Sequence, residues 1–142
     1  MALHTETQTG TGNCAVRFTK TENVSFENIG GLLCSAFEGG SNYWYEIHDY
    51  VEPKEITFQA MKGEVFPHID YPLNVGGAVI VGDMEAPEEA PKRLDMAAIK
   101  NGLKVMAEKY PHHWQDFVSE NDDAITGDVF LQCCLFGEIV YA

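Results

Sequence analysis

The stretch FEGGSNYWY, residues 37–45, lies where a helical repeat gives way to a strand repeat, and the fold turns on how it is read. Upstream, Phe26, Ile29, Leu33 and Phe37 recur at helical spacing. Ser25 is a good N-cap, and Val24 with Ile29 fits a hydrophobic staple. Gly39 stands where a helix end wants a left-handed residue. Gly30 and Gly31 fall inside this helix, where such residues either permit close packing or mark a break. Downstream, NYWYEIHDYV (42–51) reads as a long strand. Tyr43, Tyr45, Ile47 and Val51 fall on one face, and Trp44, Glu46, His48 and Tyr50 on the other. The second face is the more polar, so Trp44 is expected at the surface and Tyr43 and Tyr45 in the core.

Working outward, CAVRF (14–18), ITFQAM (56–61) and GGAVIVGD (76–83) are further strand candidates, and EAPEEAPKR (85–93) reads as a surface linker. Asp95 caps a helix over 96–110, with Leu94 and Ile99 as a staple and Ile99, Leu103, Met106 and Tyr110 as its buried stripe. Pro111 breaks that pattern and opens a short helix with Trp114, Phe117 and Val118 facing inward. After the polar loop SENDDAITGD, Thr126 is placed to cap GDVFLQCCLF, which is apolar nearly all round and therefore expected at the centre. Gly137 ends it, and EIVYA forms a short strand or docked tail. The sum is a flexible arm over 1–12 followed by a single α+β domain over 13–142, with an antiparallel sheet and about three helices packed on one side.

A chain of 142 residues fits one domain, and 45% hydrophobic residues suffice for a core. No apolar run approaches the roughly 20 residues that span a bilayer. The first residues are polar, without the basic and apolar regions of a secretory signal, which points to the cytoplasm. Cys14, Cys34, Cys133 and Cys134 form no C-x-x-C pair and are expected reduced and mostly buried. The net charge of −13, with no basic run beyond Lys92-Arg93, argues against nucleic acid and anionic membrane as partners. The acids fall in blocks over 46–55, 83–95 and 116–128. They form either a solvated face or a docking surface for a basic partner.

The motifs of phosphate loops, dinucleotide folds and nucleophile elbows are missing. HID (68–70) and HHWQD (112–116) offer too few convergent ligands for zinc, and ENDDAITGD lacks the glycine and glutamate positions of a calcium loop. No metal and no cofactor is therefore expected. Glu46 beside His48 is the one local acid–base pair, an arrangement common among strand neighbours. No nucleophile with its base accompanies it, so no catalytic residue is assigned.

SAFEGGSNYWY (35–45) and KVMAEKYPHHWQDFVSENDDAITGDVFLQCCLFGEIVYA (104–142) resemble a widespread family of small phage and prophage proteins. The likeness runs over about 24–142 and is weakest in the middle; the closing VYA replaces the family's VYG. The resemblance implies a phage accessory role in the cytoplasm of an infected bacterium, and no particular reaction. Such proteins are often counter-defence factors, some of which sequester nucleotide signals without cleaving them. On that reading Trp44 stacks a base. Backbone N–H groups of Gly39, Gly40, Thr126 and Gly127 hold phosphates. Glu38, Asn42, Asp123 and Asp128 orient the remaining polar groups. The plainer alternative is that GGSN is a helix cap and turn with the aromatics in the core. A second function remains open, an acidic inhibitor occupying a basic nucleic-acid-binding site of a host defence protein. Phe136, Ile139, Val140 and Tyr141 make an apolar terminus, so a homo-oligomer is expected.

Overall fold

Helix α1 (Phe26–Ser35) begins where the Ser25 hydroxyl accepts the Asn28 N–H at 3.1 Å. The structure, a computed structural model, describes residues 12–142, so the arm expected over 1–12 lies outside the described residues except for Gly12. The segment before α1 forms no strand: Val16 and Phe18 are 63% and 85% exposed. Alternation alone does not make CAVRF a strand without a neighbouring edge to pair with. The buried stripe of α1 is Ile29, Gly30, Leu32 and Leu33. Phe26 is instead largely exposed and meets Phe58 edge-on, with ring centroids 5.4 Å apart.

The end of α1 departs from the expected left-handed cap. The chain widens into a π-helical turn over Ala36–Gly40, and Gly39 has no positive φ. A second turn over 41–44 follows, in which the Trp44 N–H donates to the Ser41 carbonyl at 3.0 Å. Strand β1 (Tyr45–Val51) starts only after it. Trp44 therefore precedes the strand, and period-two alternation does not assign its face.

Strands β1, β2 (Ala78–Asp83) and β3 (Lys92–Leu94) form an antiparallel sheet in that order. Tyr45 pairs with Asp83 and Val79 with Leu94, and the register shifts between Ile47 and Asp49. His48 sits in that bulge over Gly82, where a side chain would overlap its ring. β3 lies in the stretch expected as linker.

The expected strand over 56–61 is absent. Two buried side chains supply the partners a ladder would otherwise give. Asn74 Oδ1 accepts from the Thr57 and Phe58 N–H groups at 2.7 and 3.1 Å, and Asp70 from those of Ala60 and Phe66 at 2.8 and 2.7 Å. Asp70 closes the single-turn helix α2 (Pro67–Asp70), which a 3-10 turn over Tyr71–Leu73 extends.

Helix α3 (Met96–Lys109) starts at the Asp95 cap, whose carboxylate accepts the Ala98 N–H at 3.0 Å. Helix α4 (Pro111–Val118) buries Phe117 while Val118 stays 47% exposed. Helix α5 (Ala124–Phe136) is the core element, with every residue from Thr126 to Cys134 buried. Two glycines let its neighbours approach. A Cβ on Gly127 would stand 2.7 Å from that of Ser35 at the end of α1, and one on Gly102 of α3 would overlap Cys134. Gly137 ends α5 at φ 74°. The domain is thus α+β, as expected, but with five α-helices among the described residues instead of about three.

The terminal residues form a docked tail. Buried Gln132 of α5 accepts the Val140 and Tyr141 N–H groups at 2.7 and 2.8 Å and donates to the Tyr141 carbonyl at 3.0 Å. One side chain thereby replaces a strand neighbour.

Candidate functional site

The glycine and aromatic stretch folds onto the first turns of α5 around one carboxylate. Asp128 Oδ1 accepts from Ser41 Oγ at 2.7 Å and from Trp44 Nε1 at 2.8 Å; Oδ2 accepts from Tyr43 Oη at 2.6 Å. Asp128 is 8% exposed, and Ser41 and Trp44 are fully buried. A buried carboxylate is tolerated only when it is hydrogen-bonded, and here three side-chain donors reach it. Burial, then the hydrogen bond to Asp128, pushes the Tyr43 phenol up to about 12.

This geometry corrects the surface placement of Trp44. Trp44 is buried and Tyr43 is 44% exposed, the reverse of the alternation reading. The first turn of α5 is likewise committed to its own cap. Asp123 is the N-cap, and its carboxylate accepts the Thr126 N–H at 3.0 Å. Thr126 completes the capping box from the third helical position instead of capping the helix itself. The Gly127 N–H donates to the Asp123 carbonyl at 3.0 Å. With those donors engaged, the phosphate cradle expected at Thr126 and Gly127 is not presented. Gly40 is pressed against α5 so closely that a Cβ there would overlap the Ala124 carbonyl. Gly39 and Asn42 are exposed. Glu38, also exposed, accepts from the Cys34 thiol at 2.7 Å, with His68 Nε2 at 3.9 Å. Burial and that hydrogen bond push the Cys34 thiol up to about 11, which keeps it in the thiol form at neutral pH. Of the nine expected site residues, the structure brings Gly40, Trp44, Asp123, Thr126, Gly127 and Asp128 to this junction and leaves Glu38, Gly39 and Asn42 at its surface.

On its other side, Trp44 borders a cleft of about 310 Å³ while its ring stays covered. Phe136 and Tyr141 wall it, their ring centroids 5.2 and 6.0 Å from that of Trp44. Val81 and Asp83 contribute from β2, and Glu89 and Lys92 from the chain between β2 and β3 and the start of β3. Asp83 organises the rim. Its Oδ2 accepts the Tyr141 hydroxyl at 2.6 Å, and its Oδ1 the Glu85 N–H at 2.9 Å. The connection is pinned from below, since the Met84 N–H donates to the Trp44 carbonyl at 2.7 Å. The hydrogen bond to Asp83, together with burial and the charges of Asp83, Glu85 and Glu88, pushes the Tyr141 phenol up to about 12. The volume sits at the lower end of the roughly 300–1,000 Å³ range of ligand pockets, and the lining is mixed in the same way.

Sequence reasoning did not reach this cleft, because three separate segments build it. The nearest signal was the aromatic density of the terminal FGEIVYA, read there as an oligomer contact. That stretch is largely docked on its own Trp44, and of its large hydrophobic residues only Val140 is exposed, at 50%.

Among the described residues, no three His, Cys, Asp or Glu side chains converge on a metal position. Glu46 and His48 do pair at 3.0 Å, on an exposed sheet position away from the cleft lining. No helix among the described residues is long and apolar enough to cross a membrane. The chain matches no protein-family model, and comparison with curated proteins and with solved structures finds no match.

Proposed function

We propose that this is a phage accessory protein that binds and sequesters a small nucleotide-type signalling molecule of the host without cleaving it, and that the seat is the cleft over Trp44. One observation carries the reading. The cleft combines clustered aromatic rings, packed tilted and edge-on, with carboxylates, a phenol and an ammonium group around an opening of about 310 Å³. Such a mixture binds a planar polar ligand by stacking and orients it by hydrogen bonds. The likeness of residues 35–45 and 104–142 to small phage proteins supports the accessory role and the cytoplasm of an infected bacterium. Exposed Val140 at the cleft supports a homo-oligomer in which a second subunit covers its margin.

The test is native mass spectrometry of protein taken from phage-challenged cells, before and after denaturation. An intact small molecule released on heating is the expected result. A chemically altered molecule, or none, contradicts the reading. A second reading has its own support: Glu46, Asp49, Glu52, Glu55, Glu85, Glu88 and Glu89 are all exposed, as docking on a basic host protein requires. Co-purification of a basic protein, lost steeply with added salt, favours that inhibitor role.

A further inference from the structure

We propose that the cleft takes a nucleobase bearing an exocyclic amino group, base end inward, and leaves the phosphates outside. The inference rests on the binding role proposed above and names the end of the ligand that is read. Its ground is the distribution of charge around the opening. Asp83 and Glu89 line the cleft and Lys92 is the cation that lines it with them. Two carboxylates against one ammonium group disfavour a phosphate inside, since like charges held near a low-dielectric wall repel.

The same carboxylates suit N–H donors. An ionised carboxylate only accepts, with about four lone-pair sites. Asp83 uses one site on each oxygen, for Tyr141 Oη and for the Glu85 N–H, which leaves acceptor capacity on both. Glu89 makes no side-chain hydrogen bond among the described residues, and its backbone is fixed by its N–H donating to the Ala86 carbonyl at 3.0 Å. A flat ring lying against Phe136 and Tyr141 presents its edge to these acceptors. Through the edge that a duplex turns to its major groove, the amino groups of adenine and cytosine donate there, whereas hypoxanthine and uracil offer on that edge only keto oxygens or ring nitrogens that meet negative charge. Lys92, exposed at the same opening, is placed to meet a phosphate that stays in solvent.

The experiment titrates the full chain with adenosine, cytidine, inosine and uridine, and with adenosine and uridine 5′-monophosphates, by calorimetry. Adenosine and cytidine are expected to bind at least tenfold tighter than inosine and uridine. A 5′-phosphate is expected to add less than threefold. Glu89→Gln, at an exposed position, should narrow the amino-to-keto gap to below threefold with unchanged melting. Asp83→Asn should do the same while also loosening the tail. Equal or tighter binding of the keto nucleosides, or a gain of tenfold or more from the phosphate on either base, overturns the inference and leaves the sequestering role standing. No binding of any of the six at millimolar concentration also overturns it. The sequestering role itself falls separately, if native mass spectrometry releases no small molecule.

Discussion

Trp44 belongs to two regions that treat polar groups in opposite ways. On its indole N–H side, Asp128 gathers Trp44, Ser41 and Tyr43 into a closed junction between the π-helical turn and α5. On its other side, Phe136 and Tyr141 stand over the ring and leave an opening edged by Asp83, Glu89 and Lys92. The junction carries the more conspicuous sequence and spends its polar groups on itself. The cleft is assembled from residues far apart in the chain and leaves polar groups facing outward. A distinctive motif can thus mark the part of a fold hardest to build, while ligand-facing chemistry gathers beside it.

The sharpest way to break this contrast is at Asp128. Asp128→Ala leaves the Trp44 N–H and the Ser41 hydroxyl buried without acceptors, and should cost about 3–5 kcal/mol in urea unfolding. A near-neutral result means the junction is not what holds residues 41–44 in place. Next in size is Gly127→Ala, which forces a methyl group to within 2.7 Å of Ser35 Cβ and should cost about 1–3 kcal/mol by overpacking the contact of α1 with α5.

Much of this architecture was legible from sequence, and the exceptions share a cause. The Ser25 and Asp95 caps, the Gly137 end and the central place of α5 each follow from a few neighbouring residues. β3 was hidden because Lys92 and Arg93 are exposed on a three-residue edge strand, so no alternation was visible. Residues 56–61 have strand composition, but Asn74 and Asp70 reach them first. Trp44 was misplaced because the strand pattern was extended through a turn. One clue to the junction was present: Asp128 and Gln132 are the polar residues, four apart, in the otherwise apolar GDVFLQCCLF. A carboxylate on the face of a buried helix must find donors, and three of the four side chains of SNYW supply them. The cleft offered no such clue, since its walls meet only after β2, β3 and the tail are in place.

Smaller effects sharpen the other side of the comparison. The Tyr141 phenol titrates at about 12 instead of 10.0, chiefly through its hydrogen bond to Asp83. A group whose folded value is raised contributes its full stability below the unfolded value and loses it as pH rises toward the folded one. The tail should therefore loosen between about pH 10 and 12, a step followed by tyrosinate absorbance whose amplitude falls by one tyrosine in Tyr141→Phe. Smallest of all, Glu89→Gln should change unfolding free energy by no more than about 0.5 kcal/mol, because the side chain is exposed. A larger loss would make Glu89 part of the scaffold and remove it from the ligand rim.

The separation of the two regions is tested most directly by backbone amide chemical shifts of the isotopically labelled protein during titration with adenosine. Shifts confined to residues 81–92 and 135–141, with 38–42 and 123–128 unmoved, are expected if the cleft binds and the junction only supports it. Shifts centred on 38–42 and 123–128 with a silent cleft would contradict it, and would return the binding role to the glycine and aromatic stretch.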